Sequence, residues 1–393
     1  MEKQIYLEPV WKIHIAYREL MANPPQGYRF VSAEGAVDRV SQTVSRWQLA
    51  PWLLAQAYSL APMTLLKAYL DRFLRRPPEG TVLTFACNHL VFRQEPWVVE
   101  LSNVSEPIGF SPRHFWRYRS VLERAFASQW CKKILCWSEF VKKTILYSLD
   151  CSQFLPKLEV VPRAVCARSL VRLPRDRQDG VRLLFLGSAN MAGEFAARGG
   201  SEVVEAFLAL RQRFESLELT IRSDLPPALR RRLHGCPNVR VIKEAIPFEE
   251  LERLFLTHDI FLFPGYYSAW LVILEAMSYG LPVLATDVHS TSEYVSDGRT
   301  GLLLKAGKLS NQCGDLPVTG FTNELRKAQR TPDQQVVAEL VQKATLLIED
   351  EELRQRLGNQ ARQEVERGRF CIERRNSVLK RILDEATQEA PEG

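Results

Sequence analysis

The sequence lacks the cysteine patterns that mark metal centres and disulfide frameworks. Its eight cysteines are scattered, with no C-x-x-C pair and no Cys/His cluster at metal-ligand spacing. We therefore predict a cytoplasmic protein without a zinc site or disulfide scaffold. The opening stretch, MEKQIYLEPVWKIHIAYREL, mixes charged and apolar residues, and this is unlike a secretory signal peptide.

Apolar runs long enough for a clear membrane span are also missing. The stretch from Trp47 to Leu66 is uncharged for 20 residues, but it contains Pro51, Pro62 and several polar side chains. These interruptions favour a buried or membrane-surface helix over a spanning helix.

Charge is unevenly distributed along the chain. Residues 1–170 hold 22 basic and 14 acidic residues, whereas the remainder holds 30 basic and 32 acidic residues. Much of the excess lies in SPRHFWRYR and WCKKILCWSEFVKK, which interleave aromatic and basic side chains. We expect peripheral contact with an anionic membrane at its inner face, or with a phosphorylated acceptor. No nucleic-acid motif accompanies the patch, so no nucleic-acid partner is expected; a solvated helix face is the alternative for any single residue.

Length and the alternation of strands and helices predict two α/β domains. A chain of 393 residues exceeds one ordinary core. Short apolar segments alternate with helical ones, which is typical of parallel sheets. The predicted strands lie at 81–87, 96–101, 133–138, 158–162, 181–187, 217–223, 239–243, 259–264, 282–286 and 301–305. The arginine-rich segment RSLVRLPRDRQDGVR predicts a linker, which gives domains at 1–170 and 171–372.

One carboxylate, Glu275, lies in the otherwise apolar run SAWLVILEAMS. Ser268 is a potential N-cap, and Gly280 with Pro282 forms a helix stop, so the pattern predicts a short, well-packed helix. An unpaired buried carboxylate costs several kcal/mol. Glu275 should therefore reach the rim of a cleft or meet donors there; simple exposure to water at the helix edge is the alternative.

Arg198 precedes two glycines and a helix in RGGSEVVEAF. Glycines at a helix start let the backbone approach a phosphate, and arginine supplies a fixed charge. In doubly wound sheets ligands bind at the carboxyl ends of the strands, where helix N-termini point at anions. Taken alone, RGG is more often a turn.

Together these pieces resemble the retaining GT-B glycosyltransferases of family 4, also called glycosyl transferases group 1. The resemblance is strongest over 158–380. It rests on VVPRAV, on FLG followed by RGGSEVVEAF, on VIKEAIPFEELERLFLTHDIFLFP, and on LEAMSYGLPVLAT followed by SEYVSDGRTGLLL. KILCWSEFVKK resembles the end of the family's first domain. The resemblance implies an α/β GT-B fold: two Rossmann-like doubly wound domains facing across a cleft, with the last helix, about 373–388, packed back on the N-terminal, acceptor-side domain.

The resemblance also implies an activity and roles for matching residues. It implies transfer of a hexose from a nucleoside diphosphate sugar to a hydroxyl acceptor, in glycan, polysaccharide or glycolipid synthesis, with no metal and no cofactor. Arg198 would be catalytic by neutralising the leaving diphosphate, and Glu275 would bind the ribose hydroxyls. The other donor-side residues are Gly187, Ser188, Ile242, Lys243, Tyr267, Ser268, Ala269, Trp270, Leu271, Ser292 and Glu293.

The sequence departs from the family pattern in three places. The family has a pair of glutamates, and the first of them contacts the transferred sugar; Tyr267 stands at its position here. The family also has an arginine that contacts the diphosphate, and Ser188 stands at its position here. The first-domain histidine is missing after PWVVEL. His89, Asn103 and His114 are the acceptor-side candidates.

These departures keep two alternatives open. The first is a non-catalytic GT-B protein that binds a nucleotide or glycan at a degenerate sugar site. The second is a GT-B epimerase or phosphorylase, for which neither a pyridoxal-phosphate lysine motif nor an epimerase His/Glu set is present. The base, the sugar and the acceptor, a lipid-linked one included, stay open.

Overall fold

A computed structural model of the protein describes residues 2–8, 15–32, 62–109, 112–168, 180–187, 194–307 and 331–388. The chain forms two compact units. The first comprises Met1–Arg163, Pro317–Gly320 and Ile372–Gly393, and the second comprises Ala164–Leu316 and Phe321–Cys371. Most of the predicted linker, 169–179, lies outside the described residues.

The first unit is built on a parallel sheet with the order β2-β1-β3-β4-β5-β6. Its strands are β1 (Lys3–Glu8), β2 (Tyr28–Ser32), β3 (Thr81–Cys87), β4 (Trp97–Leu101), β5 (Cys131–Cys136) and β6 (Leu158–Val160). Its helices are α1 (Ile15–Ala22), α2 (Met63–Leu74), α3 (Pro112–Ala127) and α4 (Glu139–Ser148), with short 3-10 turns at Glu106–Ile108 and Leu155–Lys157. Ser138 caps α4 by accepting a hydrogen bond from the Val141 amide, as expected for a serine before a helix.

The second unit has the same layered plan, with the sheet order β12-β11-β10-β7-β8-β9. Its strands are β7 (Arg182–Leu186), β8 (Glu218–Arg222), β9 (Val239–Ile242), β10 (Ile260–Phe263), β11 (Val283–Thr286) and β12 (Gly301–Leu304). Its helices are α5 (Glu194–Ala197), α6 (Gly200–Leu210), α7 (Pro227–Leu233), α8 (Phe248–Thr257), α9 (Trp270–Ser278), α10 (Thr291–Tyr294), α11 (Gln334–Glu349) and α12 (Glu351–Glu366).

The last helix, α13 (Ile372–Thr387), belongs to the first unit. Leu379, Ile382 and Leu383 are buried in the same cluster as Ile5 and Leu7 of β1. Burial of this apolar stripe joins the end of the chain to the sheet at its beginning.

The predicted α/β class is confirmed, and every predicted strand is present within two residues of its expected bounds. Two further strands, β1 and β2, were not predicted from the sequence. In β1, five of six residues are buried, including the terminal Glu8. The strand is difficult to predict because the short segment has a charged residue at each end, Lys3 and Glu8. The Glu8 carboxylate is nevertheless buried, beside cationic partners.

Each sheet has a point at which the strand order reverses. In the first sheet β2 lies on one side of β1, and β3 with the later strands lies on the other side. In the second sheet β8 and β9 lie on one side of β7, and β10, β11 and β12 lie on the other side. Crossover connections leave this point on opposite faces, which opens a crevice at the carboxyl ends of the strands. The switch points therefore lie at β1/β3 and at β7/β10.

Among the helices of the described residues, none has the length and apolarity of a membrane-spanning segment.

Candidate functional site

The switch point of the second unit brings Arg198 and Tyr267 together. Arg198 follows α5, and Tyr267 lies in the loop after β10. The Arg198 Nε donates a hydrogen bond of 2.9 Å to the Tyr267 hydroxyl, and the guanidinium carbon lies 5.9 Å from the centre of the tyrosine ring. The Arg198 Nη1 lies 3.5 Å from the carbonyl oxygen of Leu186, the last residue of β7. A fixed positive charge is thus held at the carboxyl edge of the sheet.

Close packing between two loops fixes this arrangement. The Tyr266 amide donates to the Ala197 carbonyl at 2.9 Å, and the Tyr266 hydroxyl donates to the buried Glu202 carboxylate. Gly199 has a φ of +80°, and a Cβ there would lie 2.0 Å from the Pro264 carbonyl oxygen. Only glycine permits this approach, which explains the RGG sequence beside Arg198.

A second arginine, Arg222, lies at the end of β8, and the sequence analysis missed it. Its Nη1 donates to the Gly187 carbonyl at 3.3 Å. Burial and the charge of Arg198 lower the pKa of the Arg222 guanidinium. The signal that identifies it is the parallel register, in which Arg222 stands opposite Leu186 on β7. Two cations therefore lie near the end of β7.

Glu275 lies on α9 and is 8% exposed, so the interpretation as a charge simply exposed to water is wrong. The prediction that Ser268 caps this helix is also wrong. Ala269 occupies the N-cap position without a side-chain bond, and within the described chain the buried Ser268 hydroxyl has no hydrogen-bond partner. The loop Pro264–Ala269 runs one residue further than the serine pattern suggests.

The other donor-side candidates lie at the same edge of the sheet. Gly187 follows β7, the buried Ile242 ends β9, and the exposed Lys243 comes next, 4.0 Å from Asp224. A Cβ on Gly187 would lie 2.3 Å from the Ser223 hydroxyl, so the strand ends are closely apposed there.

The segments that flank these strand ends complete the edge. Ala269, Trp270 and Leu271 form the start of α9; Ser292 and Glu293 lie within α10. The Thr291 hydroxyl is buried with no partner among the described residues. Ser188 lies outside the described residues.

The switch point of the first unit holds a buried charged cluster of Glu8, His89, Arg93 and Glu95. The His89 Nε2 lies 3.7 Å from the Glu8 Oε1, and the Arg93 Nη1 donates to the same oxygen at 3.1 Å. Burial would raise the pKa of Glu8, but contacts with His89 and Arg93 lower that pKa to about 2. Burial lowers the pKa of His89, and the Glu8 carboxylate opposes this. Burial therefore disfavours the charged form of the imidazole, and the neighbouring carboxylate favours it.

The other two acceptor-side candidates make contacts in their own segments. Asn103 accepts hydrogen bonds from the Ser105 amide at 2.8 Å and from the Ser105 hydroxyl at 2.7 Å, which shapes a turn. His114 is buried on α3, with its ring 6.3 Å from that of Tyr118. No group of three or more His, Cys, Asp or Glu side chains among the described residues is placed to hold a metal ion.

Part of the chain matches a known family. Residues 180–316, which contain Arg198, Tyr267 and Glu275, match the family model described as glycosyl transferases group 1. The chain is 32% identical over 137 residues to a D-inositol 3-phosphate glycosyltransferase of Paenarthrobacter aurescens, covering 33% of this chain and 32% of that protein. It is 31% identical over 87 residues to a GDP-mannose-dependent alpha-mannosyltransferase of Mycobacterium tuberculosis, covering 22% of this chain and 23% of that protein.

The solved structures extend the likeness to the whole chain. The Anabaena protein Alr3699/HepE, solved in complex with UDP and glucose, matches with a TM-score of 0.60 at 15% identity, over 98% of this chain and 100% of that chain. At this identity the match establishes the fold. The chain spans about a third or less of the length of the curated relatives it matches. The chain thus has the GT-B fold, its residues 180–316 are similar to glycosyl transferases group 1, and the comparisons support a glycosyltransferase.

Proposed function

We propose that the protein is a retaining glycosyltransferase of family 4. It moves a hexose from a nucleoside diphosphate sugar to a hydroxyl acceptor in glycan, polysaccharide or glycolipid synthesis. The observation that carries the proposal is the position of Arg198 beside Tyr267 at the β7/β10 switch point, in the segment that matches the family. The relatives named for a GDP-sugar donor and solved with UDP support a nucleoside diphosphate sugar as the donor class.

The mechanism follows from where charge develops. The bond between the sugar C1 and the diphosphate oxygen breaks while the acceptor oxygen bonds to C1 on the same face. The acceptor proton passes to the leaving diphosphate, so no covalent enzyme intermediate forms. Arg198 stabilises the growing negative charge of the diphosphate. Guanidinium groups supply this stabilisation, so neither a metal nor a cofactor takes part in the proposal.

The donor is held by groups around the same edge. Glu275 accepts hydrogen bonds from the ribose hydroxyls, which offsets the burial of its carboxylate. The buried Ser268 and Thr291 hydroxyls, without partners in the described part of the chain, and the start of α9 contact the phosphate and sugar. Ile242 and Lys243 border the base at the end of β9.

On the acceptor side the proposal favours His89 over Asn103 and His114. His89 lies at the β1/β3 switch point, beside the Glu8 carboxylate. Among the described residues neither of its ring nitrogens has a hydrogen-bond partner, so the imidazole is available to form a hydrogen bond with the acceptor hydroxyl.

Peripheral contact with an anionic membrane is part of the proposal, and α2 is the surface that supports it. An apolar stripe on this helix is exposed at spacings of three and four residues. It consists of Leu66 (46%), Tyr69 (50%), Leu70 (46%), Phe73 (68%) and Leu74 (76%). The exposed Arg72 and Arg76 flank it. An apolar face bordered by basic residues suits an anionic lipid surface, here at the cytoplasmic face and near a lipid-linked acceptor.

The experiment is to measure UDP and GDP release from a panel of donor sugars, with and without lipid-linked acceptors. We expect one donor to release its diphosphate, at a rate that rises with a matching acceptor. A protein that binds UDP or GDP but releases neither from any donor would instead be the non-catalytic binding protein. Tyr267 supports this alternative because it replaces the family's sugar-contacting glutamate.

A further inference from the structure

Arg198 and Arg222 each contact one of two consecutive carbonyl groups at the end of β7. The Arg198 Nη1 lies 3.5 Å from the Leu186 oxygen, and the Arg222 Nη1 lies 3.3 Å from the Gly187 oxygen. The two side chains come from different segments, the turn before α6 and the last position of β8. Burial and the positive charge of Arg198 lower the pKa of the Arg222 guanidinium. The fold therefore places two like charges near the end of β7, at the switch point.

This placement is unfavourable for Arg222 without an anion. Among the described residues no carboxylate acts on the charge of Arg222, and its buried Nε has no hydrogen-bond partner. Other arginines of the same sheet are paired, since Arg182 contacts Glu218 at 2.8 Å and Arg240 contacts Glu250 at 3.1 Å. Buried donors and like charges in close range both favour a bound anion.

We propose that Arg222 is a second diphosphate-binding residue, which supplies the cation missing at Ser188. The inference rests on the proposed function and adds the residue that distinguishes a diphosphate from a monophosphate. Two planar guanidinium forks suit two adjacent phosphoryl groups, whereas a single phosphate engages Arg198 alone. The last residue of β8 contributes the second cation because the parallel register places Arg222 at the same edge of the sheet as Gly187.

The test is a calorimetric titration of the full chain with UDP, GDP, UMP and GMP. The variants are Arg222→Gln and Arg222→Met, and the matched control is Arg240→Gln, on the neighbouring strand β9 and paired with Glu250. Loss of one charged hydrogen-bonding partner corresponds to about tenfold or more in affinity. We expect both Arg222 variants to reduce the preference for the diphosphate over the monophosphate of the same base by about that factor. We expect the control to keep the wild-type preference.

Two outcomes separate this inference from the proposed function. If wild type binds UDP or GDP but an Arg222 variant with a wild-type circular dichroism spectrum keeps the full preference for the diphosphate, the role of Arg222 is wrong and the proposed function stands. If wild type binds none of the four nucleotides, the proposed function fails and this inference with it. Two substitutions are used so that poor folding of one leaves the other to decide.

Discussion

The Nε of Arg198 donates a 2.9 Å hydrogen bond to the hydroxyl of Tyr267, a residue 69 positions away in sequence. This bond joins the two sides of the β7/β10 switch point. It orients the guanidinium group and ties the residue proposed to contact the sugar to the residue proposed to contact the diphosphate. A change at Tyr267 should therefore affect both sugar choice and the charge that Arg198 presents.

Tyr267 is predicted to set the choice of donor sugar. Tyr267→Phe removes the acceptor for the Arg198 Nε, and we expect kcat/KM to fall by about tenfold, the value of one hydrogen bond to a charged group. Tyr267→Glu places a carboxylate beside Arg198 and should change which sugar is preferred. Both are measured on the donor panel, with the exposed Tyr147→Phe as control. Unchanged rates and an unchanged ranking of donors would refute this role.

Glu275 is predicted to bind the ribose. Glu275→Gln should keep the fold and weaken binding of UDP or GDP by about 1–3 kcal/mol, the range for a lost charged hydrogen-bond partner. Calorimetric titration measures this, and Glu250→Gln, on the exposed surface of α8, is the control. If the variant binds the nucleotide as tightly as wild type, the ribose assignment is wrong.

The first unit is predicted to lose stability as the pH falls. The pKa of Glu8 is lowered from 4.5 to about 2, so its contribution is present above pH 4.5 and is lost as the pH falls toward 2. A shift of this size corresponds to about 3 kcal/mol. The lowered pKa of His89 acts in the same direction, because an unfolded histidine takes up a proton near pH 6.5 and the buried one resists it.

Urea unfolding between pH 7 and pH 3 checks this prediction. Wild type should lose stability first below about pH 6.5 through His89 and then below about pH 4.5 through Glu8. Glu8→Gln should flatten the lower part of the curve. A wild-type free energy of unfolding that stays constant over this range would show that the cluster is not ionised as described.

Membrane contact through α2 is predicted to depend on its exposed apolar stripe. Binding to anionic vesicles should weaken as salt rises, because exposed charges are screened beyond about 8 Å in physiological salt. Phe73→Glu should abolish most binding in co-sedimentation, whereas Tyr147→Glu, an equally exposed position on α4, should not. Equal, salt-insensitive binding to neutral and anionic vesicles would point instead to the stretch from Trp47 to Leu66, of which residues 47–61 lie outside the described residues.

Much of the fold follows from local pattern. The strands from Thr81 onward are apolar segments bounded by turns or charges, and the helices between them have apolar stripes. β1 escaped prediction because the burial of Glu8 depends on Arg93, a partner 85 residues away. Local pattern carries no information about such a partner, so the strand resembled an amphipathic surface segment.

The site shows the same division. Arg198 and Glu275 lie in contiguous motifs, so the sequence alone singles them out, and their roles in donor binding stay predictions. The proposed role of Arg222 cannot be predicted from local sequence, because the register between β7 and β8 is what places this residue beside Gly187. Ser268 was assigned to the helix cap because serine is common there, but the approach of Tyr266 to Ala197 fixes the loop and leaves Ala269 at the cap.

The central claim is that Arg198 stabilises a departing diphosphate at the β7/β10 switch point. Turnover of Arg198→Ala on the best donor, measured as UDP or GDP release, tests it most directly. Because charge on the diphosphate grows as the glycosidic bond breaks, losing this group should lower turnover by about 10²–10³. Arg240→Gln, on β9, should turn over at the wild-type rate. Wild-type turnover in Arg198→Ala would contradict the account, since it would leave Arg198 only its structural contacts with Tyr267 and Leu186.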